Sequence, residues 1–357
     1  MRDNRPAGYS PTVDRSRKDC RLSPHSSARQ PRQPAMPTEP PPADHPRAVA
    51  DELETIGDFL RYATSRFDAA DLVYGHGTTN ALDEAAFLIL EALHLPIDKL
   101  DPFLPARLVQ SERRRLAELI EARIATRKPA PYLVGKAYIG DWPFHVDERV
   151  IVPRSYLGEL LNAGTVGGED GGLLSEVAGV ERVLDLCTGS GCLAVLAAQV
   201  FAEARIDAVD LSAPAIAVAR RNIAESGHGN RIRVLEGDLF APIGGQRYDL
   251  ILANPPYVDA EAMAQLPPEY RHEPAIALAG GADGLDVVRR ILKEAPAHLQ
   301  ATGGLLCEIG AGRNRLEVQF PNLSFRWLDT ELSAGEVFWL PASAFAPEVR
   351  PKQGDTA

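Results

Sequence analysis

Between residues 48 and 128, apolar side chains recur every three or four positions, which is the spacing of one buried helix face. Asn80 is a suitable N-cap for the second of these helices, and Pro96 ends it. Ser111 opens a third helix, whose opposite face is basic. The pattern therefore predicts a small helical domain over residues 48–128.

Residues 129–160 have a different pattern, with aromatic residues placed between prolines and glycines. Such a pattern predicts a β-hairpin, which here would link two parts of the chain. Residues 161–180 contain six glycines, five of them between residues 164 and 172, and their composition predicts an inserted mobile loop.

From residue 181 onward, short apolar runs alternate with amphipathic stretches. This alternation predicts an α/β domain over residues 181–345, with a parallel sheet that carries helices on both faces. The predicted strands are 182–186, 205–210, 232–235, 250–253 and 304–308, and the predicted helices include 192–201 and 214–226.

Composition changes the interpretation of the two ends. The chain has 357 residues, enough for about two domains. Residues 1–47 hold ten of the 29 prolines and almost no apolar periodicity, so we expect them to be disordered. Residues 346–357 are expected to form a second tail.

No apolar run approaches the ~18 residues of a membrane helix. Four cysteines are too few for a disulfide scaffold, which favours the reducing cytoplasm.

Charge narrows the choice of partners. The net charge is −11 overall and, because residues 1–47 contribute +4, it is −15 for residues 48–357. An acidic chain is a poor match for a nucleic-acid backbone, so we expect no direct nucleic-acid substrate.

The first candidate for chemistry is the turn Asp185-Leu-Cys-Thr-Gly-Ser-Gly191, at the end of a predicted strand. Glycines let the backbone approach a ligand closely, and open α/β sheets bind ligands at this edge. The turn departs from the Gly-x-Gly-x-x-Gly fingerprint, which weakens a nicotinamide interpretation. A merely tight strand–helix turn is the alternative.

Two aspartates end the next strands. Asp210 could accept both hydroxyls of a ribose, and Asp238 could face an adenine amine. Each could instead cap a helix or a turn.

The fourth motif, Asn254-Pro-Pro-Tyr257, directly follows a predicted strand. Prolines cannot continue a central strand, so this segment forms a rigid ledge at the strand end. The Asn254 side chain and the Pro255 carbonyl would offer two fixed acceptors, and Tyr257 a flat ring. Two acceptors beside a ring match a planar –NH₂ group.

Together these motifs resemble the class I S-adenosylmethionine-dependent methyltransferases that act on planar amino nitrogens, a Rossmann-like fold, over about residues 130–345. Within that class they resemble the protein-glutamine methyltransferases. Three further segments are similar to the branch that methylates a glutamine of ribosomal protein L-three of the large subunit. These segments are Val152-Pro-Arg-Ser155, Pro268-Glu-Tyr-Arg-His-Glu-Pro274 and Asp283-Gly-Leu285.

The resemblance implies S-adenosylmethionine as cofactor, ribosomal protein L-three as partner, no metal, and substrate recognition by the helical domain. The catalytic residues it implies are Asn254, Pro255, Pro256 and Tyr257. The cofactor-binding residues it implies are Phe144, Arg154, Asp185, Cys187, Thr188, Gly189, Ser190, Gly191, Asp210, Asp238, Leu239 and Asn254. Phe144 could equally be plain core.

Three alternatives stay open at this point. The sister enzymes that methylate peptide-chain release factors share the motifs, although they usually have Gly where Cys187 stands. A nucleic-acid amino-methyltransferase can use the same ledge on a flipped base. A ribosome assembly factor could keep the fold without turnover.

Overall fold

The computed structural model describes residues 45–166, 173–174, 179–330 and 333–345. The predicted tails therefore lie almost entirely outside the described residues, as do four of the glycines in the predicted loop. The first helix begins at Pro46 with His45 as its N-cap, so residues 46 and 47 are helical and do not belong to a tail.

The first part of the described chain is helical. Thr55 and Asp58 form a reciprocal capping box, and the Asn80 side chain accepts a hydrogen bond from the Asp83 backbone N–H at 2.9 Å, as the sequence predicts for this N-cap. Large side chains such as Phe59 and Phe67 are fully buried between the helices. The helices are α1 Pro46–Glu52, α2 Ile56–Ala69, α3 Ala81–Ala92, α4 Gln110–Thr126 and α5 Ala130–Val134.

A hairpin follows, formed by β1 Lys136–Ile139 and β2 Trp142–His145. Helix α6 then runs over Tyr156–Asn162. The predicted linker over 129–160 is thus a hairpin between two helices, and α6 extends two residues into the stretch predicted as a loop.

The rest of the chain forms a seven-stranded sheet in the order β5-β4-β3-β6-β7-β9-β8. Strands β3 to β7 are parallel, and β9 is antiparallel to both of its neighbours. The strands are β3 Arg182–Leu186, β4 Arg205–Asp210, β5 Ile232–Glu236, β6 Tyr248–Ala253, β7 Leu299–Glu308, β8 Arg326–Asp329 and β9 Ala334–Pro341. The helices are α7 Cys192–Val200, α8 Ala213–Glu225, α9 Ala260–Ala264, α10 Asp286–His298 and α11 Arg313–Gln319.

Helices cover both faces of the sheet because the strands are apolar on both sides. Val183 packs into one core with α7, whereas its neighbour Leu184 packs into another with α10. The predicted fold class is confirmed. In the described part of the chain, every helix is too short or too polar to cross a bilayer.

Strand β3 lies between β4 and β6. After β3, the chain first adds β4 and β5 on one side of it and then β6 and β7 on the other side, so the strand order reverses at β3. Leu186 at the end of β3 is opposite Val209 on β4 and Ala253 on β6. The segments that follow these strands therefore meet at one edge of the sheet, where open α/β folds bind ligands.

Candidate active site

The candidate site is a cavity of about 370 Å³ at this edge of the sheet. Its lining includes residues from all four of the sequence motifs, because their strands are neighbours. The sequence-predicted residues that line it are Cys187, Gly189, Asp210, Asp238, Leu239, Asn254 and Pro256.

The glycine turn is shaped by left-handed backbone conformations at Cys187, Gly189 and Gly191, with φ of 58°, 54° and 80°. A Cβ at Gly191 would lie 3.2 Å from the Ala219 Cβ, so a larger residue would push the turn away from α8. At Gly189 the same Cβ would meet nothing within 4 Å. Gly189 is therefore required for its backbone conformation and leaves open space beside the cavity.

Asp185 lies beneath this turn and does not line the cavity. Its Oδ2 accepts hydrogen bonds from the Thr188 hydroxyl at 2.5 Å and the Ala194 backbone N–H at 3.0 Å. Burial raises the pKa of the Asp185 carboxyl to about 7, against those two hydrogen bonds. Asp185 and Thr188 thus hold the turn in place, and Ser190 also lies outside the cavity lining.

Asp210 faces the cavity in a fixed orientation. Its Oδ2 accepts from the Gly189 N–H and its Oδ1 from the Ser212 N–H, both at 2.8 Å. Burial raises its pKa, and these hydrogen bonds oppose the rise. The N-cap of α8 is Ser212, so Asp210 is not the helix cap that the sequence left open. Each oxygen keeps a lone pair for a ligand hydroxyl.

Asp238 also lines the cavity, and its side chain is half exposed. Its Oδ2 accepts a hydrogen bond from Arg290 Nη2 at 2.8 Å. Leu239 follows in a left-handed conformation, with φ of 49°, and is buried. The pair presents one carboxylate and one apolar surface side by side.

The Asn254-Pro-Pro-Tyr257 ledge begins at the cavity. Asn254 is partly exposed there, and its side chain makes no hydrogen bond to any residue that the structure describes. Pro255 is buried, and Pro256 lines the cavity. The free acceptor of Asn254 is what the sequence predicts for a substrate clamp.

Tyr257 does not line this cavity, because its hydroxyl points to Glu308 and donates to Oε1 at 2.9 Å. Glu308 is 2% exposed and also accepts from the Ser155 hydroxyl at 2.7 Å and the Tyr156 N–H at 3.0 Å. Burial raises the pKa of both Tyr257 and Glu308. Glu308 thus fixes the ring that follows the ledge.

Three glycines that the sequence analysis did not single out pack against the ledge. A Cβ at Gly280 would lie 2.7 Å from the Tyr257 Cα, and one at Gly284 would lie 2.4 Å from the Tyr257 carbonyl oxygen. A Cβ at Gly310 would lie 2.8 Å from the Tyr257 ring. Gly284 belongs to the Asp283-Gly-Leu285 segment. The resemblance of this segment to the methyltransferase branch was the signal in the sequence that could have indicated its importance.

Phe144 and Arg154 lie away from the cavity. Phe144 is 3% exposed and packs in the core beneath the hairpin. Arg154 forms a two-pronged ion pair with Glu273 at 2.5 and 2.7 Å and lies over the Tyr270 ring. The structure therefore does not bring these two residues to the other candidate cofactor residues.

Two buried carboxylates, to which sequence reasoning assigned no role, bind parts of the chain that are distant in sequence. Glu269 accepts from the Val73 N–H at 3.0 Å and pairs with Arg127 at 2.8 Å. Glu273 accepts from the Val152 N–H at 2.9 Å and pairs with Arg154. Both lie in the Pro268–Pro274 segment that carried part of the resemblance.

The residues that line the cavity are suited to a nucleoside that bears a positive charge. Asp210 and Asp238 supply carboxylates, Leu239 and Ile276 supply apolar walls, and Gly189 leaves space beside them. The sheet is parallel except for one antiparallel strand near its edge, and the cavity lies where the strand order reverses. These two features define the class of S-adenosylmethionine-dependent methyltransferases.

Comparison with known proteins agrees with this class. The family model for the methyltransferase small domain matches residues 173–266. The ribosomal protein uL3 glutamine methyltransferase of Bradyrhizobium diazoefficiens is 58% identical over 82% of this chain and 92% of its own length. The Bordetella pertussis protein of the same name is 52% identical over 81% of this chain and 95% of its own. The Neisseria meningitidis serogroup B protein of that name is 50% identical, over 82% and 94%.

The chain belongs to the ribosomal protein uL3 glutamine methyltransferase family. The family resemblance seen in the sequence is thereby confirmed. The enzyme is a protein-glutamine methyltransferase whose methyl donor is S-adenosylmethionine.

Proposed function

We propose that this enzyme methylates the side-chain amide nitrogen of a glutamine in ribosomal protein uL3, the target that its relatives are named for. The observation that supports this most directly is Asn254. It lines the cavity with an amide that no described residue binds, and it begins a ledge whose backbone two prolines make rigid.

The proposed roles of the cavity residues follow from their positions. Asp210, oriented by the Gly189 N–H, accepts the ribose hydroxyls of the cofactor. Asp238 and Leu239 lie on the adenine side. Asp185 and Thr188 keep the glycine turn in place from beneath. Phe144 and Arg154 act on the cofactor only through the elements they support.

S-adenosylmethionine supplies an activated methyl group on a positively charged sulfur. An amide nitrogen is a weak nucleophile, because its lone pair is delocalised into the carbonyl group. Asn254 Oδ1 and the Pro255 carbonyl accept the two N–H groups of the glutamine and fix the nitrogen in one orientation. Such positioning is worth about 7–11 kcal/mol in favourable cases.

Tyr257 supports this clamp from the end of the ledge, where the buried Glu308 holds its hydroxyl. A strong general base is not needed, because the methylated nitrogen becomes acidic and loses its proton to water or to a nearby acceptor. The reaction therefore depends mainly on the fixed geometry of the ledge.

The charge of the chain agrees with a basic protein substrate, since residues 48–357 carry −15. We propose that the helical part recognises this substrate. Because ribosomal proteins are assembled in the cytoplasm of bacteria, we propose that the enzyme acts there.

The test uses the Asn254→Ala variant, with purified uL3 as methyl acceptor. We expect single-turnover methylation to fall about 10²- to 10³-fold, by analogy with removal of one preorganised hydrogen-bonding group from an active site. Affinity for S-adenosylhomocysteine, measured by calorimetry, should not change, because Asp210 is intact. The control is Asn322→Ala, which removes an exposed amide elsewhere.

Mass spectrometry of the wild-type product identifies the methylated residue. Methylation of a release factor but not of uL3 would contradict the proposed target. Near-normal methylation by Asn254→Ala would contradict the clamp. Loss of cofactor binding in the same variant would place Asn254 in the cofactor site instead.

A further inference from the structure

A second cavity of about 390 Å³ lies between the helical part and the hairpin. Residues of α3, the turn before it, and the loop after it line one side, and Ala137 and Tyr138 of the hairpin line another. Of the segments quoted in the sequence analysis, only Val152-Pro-Arg-Ser155 contributes to its lining, and no step of the proposed reaction involves this cavity.

The polar groups in its lining are suited to a cation. Asp83 and Asp98 are exposed carboxylates in the lining, and no lysine or arginine is among the described residues that line it. The cofactor cavity differs, since it has Arg149 and Arg290 beside its aspartates. The second cavity thus has negative charge that its own lining does not neutralise.

His76 supplies an independent indication of a ligand. Its side chain is fully buried, it lines this cavity, and neither ring nitrogen has a hydrogen-bond partner among the described residues. Its Nε2 lies 3.6 Å from Glu273 Oε2, which favours the proton on Nε2. Nδ1 is then an acceptor without a donor. Leaving a buried acceptor unpaired costs free energy that a ligand can recover.

Much of the remaining lining is apolar and suits a long aliphatic stem. Phe87, Leu90 and Ile97 form part of the wall, and Ile97 is 37% exposed although it is a large hydrophobic residue. Lysine and arginine side chains bury such stems and keep the charged head near polar groups.

The two cavities share one stretch of chain. Arg149, Val150 and Ile151 line the cofactor cavity, and the next two residues, Val152 and Pro153, line the second cavity. The two cavities therefore lie along one short segment of the chain.

We propose that this second cavity, lined by His76, Asp83, Phe87, Leu90, Ile97 and Asp98, binds a lysine or arginine side chain of the protein substrate. This proposal rests on the proposed function, because it names the substrate feature that the helical part recognises. The bound side chain anchors the substrate while the glutamine reaches Asn254.

The experiment measures binding and turnover separately. The Asp83→Asn, Asp98→Asn double variant removes two charges, and the matched control, Glu52→Gln with Glu118→Gln, removes two exposed charges from the same helical part. We expect the first variant to bind purified uL3 about five- to tenfold more weakly and with a smaller dependence on salt. Its KM should rise by the same factor, with kcat and affinity for S-adenosylhomocysteine unchanged. The control should bind within twofold of wild type.

Ala86→Phe is a second variant, which fills the cavity without changing its charge. We expect it to weaken uL3 binding to a similar extent, with an unchanged thermal midpoint showing that it folds. Unchanged affinity in both variants, equal weakening in the control, or no uL3 binding by the wild type would overturn the proposal. If the wild type binds uL3 without methylating it, the proposed function fails. The ratio of the uL3 affinities of variant and wild type still decides whether this cavity anchors the substrate.

Discussion

Replacing Glu273 by glutamine tests the buried contacts of the Pro268–Pro274 segment with the rest of the chain. The carboxyl is 4% exposed and pairs with Arg154. Burial acts to raise its pKa, but contacts with His76 and Arg154 outweigh burial and lower the pKa from 4.5 to about 2. Since one pKa unit is worth about 1.4 kcal/mol, this pairing contributes about 3 kcal/mol to the free energy of unfolding.

A second estimate agrees, because breaking a buried ion pair from one side costs about 3–5 kcal/mol. Glutamine keeps an oxygen for the Val152 N–H but places an NH₂ group where Oε2 accepts from Arg154 Nη2, so Glu273→Gln removes the charge and that hydrogen bond together. We therefore expect the free energy of unfolding to fall by about 3 kcal/mol at pH 7, as measured by urea denaturation followed by circular dichroism.

The pH dependence has a defined sign. The pKa of Glu273 is lowered in the folded state, so its stabilisation is complete above the unfolded value of 4.5 and is lost as pH falls toward 2. The difference between wild type and Glu273→Gln should shrink to about 2 kcal/mol at pH 3.5. The control is Glu225→Gln, at a side chain 60% exposed that pairs with Arg221 on the same helix, with an expected cost below about 0.5 kcal/mol. A loss under about 1 kcal/mol for Glu273→Gln, or one independent of pH, would refute this reasoning.

Two further predictions concern the cofactor cavity and the ledge. Asp210→Ala should weaken S-adenosylhomocysteine binding by about 1.5–3 kcal/mol in calorimetric titration, the usual contribution of hydrogen bonds to a charged group. Unchanged affinity would place the ribose elsewhere. Gly284→Ala should lower the free energy of unfolding by at least about 2 kcal/mol, because φ is +80° and the new Cβ would lie 2.4 Å from the Tyr257 carbonyl oxygen. Gly245→Ala, whose new Cβ would meet no atom within 4 Å, should be close to neutral, and urea denaturation followed by circular dichroism measures both variants.

Local sequence predicted the centre of the sheet well. Strands β3 and β4 have the predicted bounds, because each is a short apolar run between a polar residue and a turn. Strands β8 and β9 were not predicted, since β9 pairs with β7, which is distant in sequence, and β8 pairs with β9. Gly335 in β9, with φ of 71°, also interrupts the alternation that a strand pattern would show.

The site was partly predictable for a similar reason. Asp210 ends one strand and Asn254 directly follows another, so their place at the sheet edge depends only on the strand assignment. Glu273 and Glu308 bind partners more than 100 residues away, and an isolated sequence shows no sign that these carboxylates are buried. Phe144 was ambiguous because a buried aromatic residue has the same local pattern in a core as beside a ligand.

The carboxylates of the Pro268–Pro274 segment have a consequence for protein engineering. Glu269 pairs with Arg127 of the helical part and binds the Val73 N–H, although it belongs to the chain after the ledge. A chimera that exchanges only the amino-terminal helices would take Glu269 from one protein and its partners from the other. Retargeting the enzyme to another protein is therefore best designed with residues 268–274 transplanted together with the helices, as one discontinuous unit.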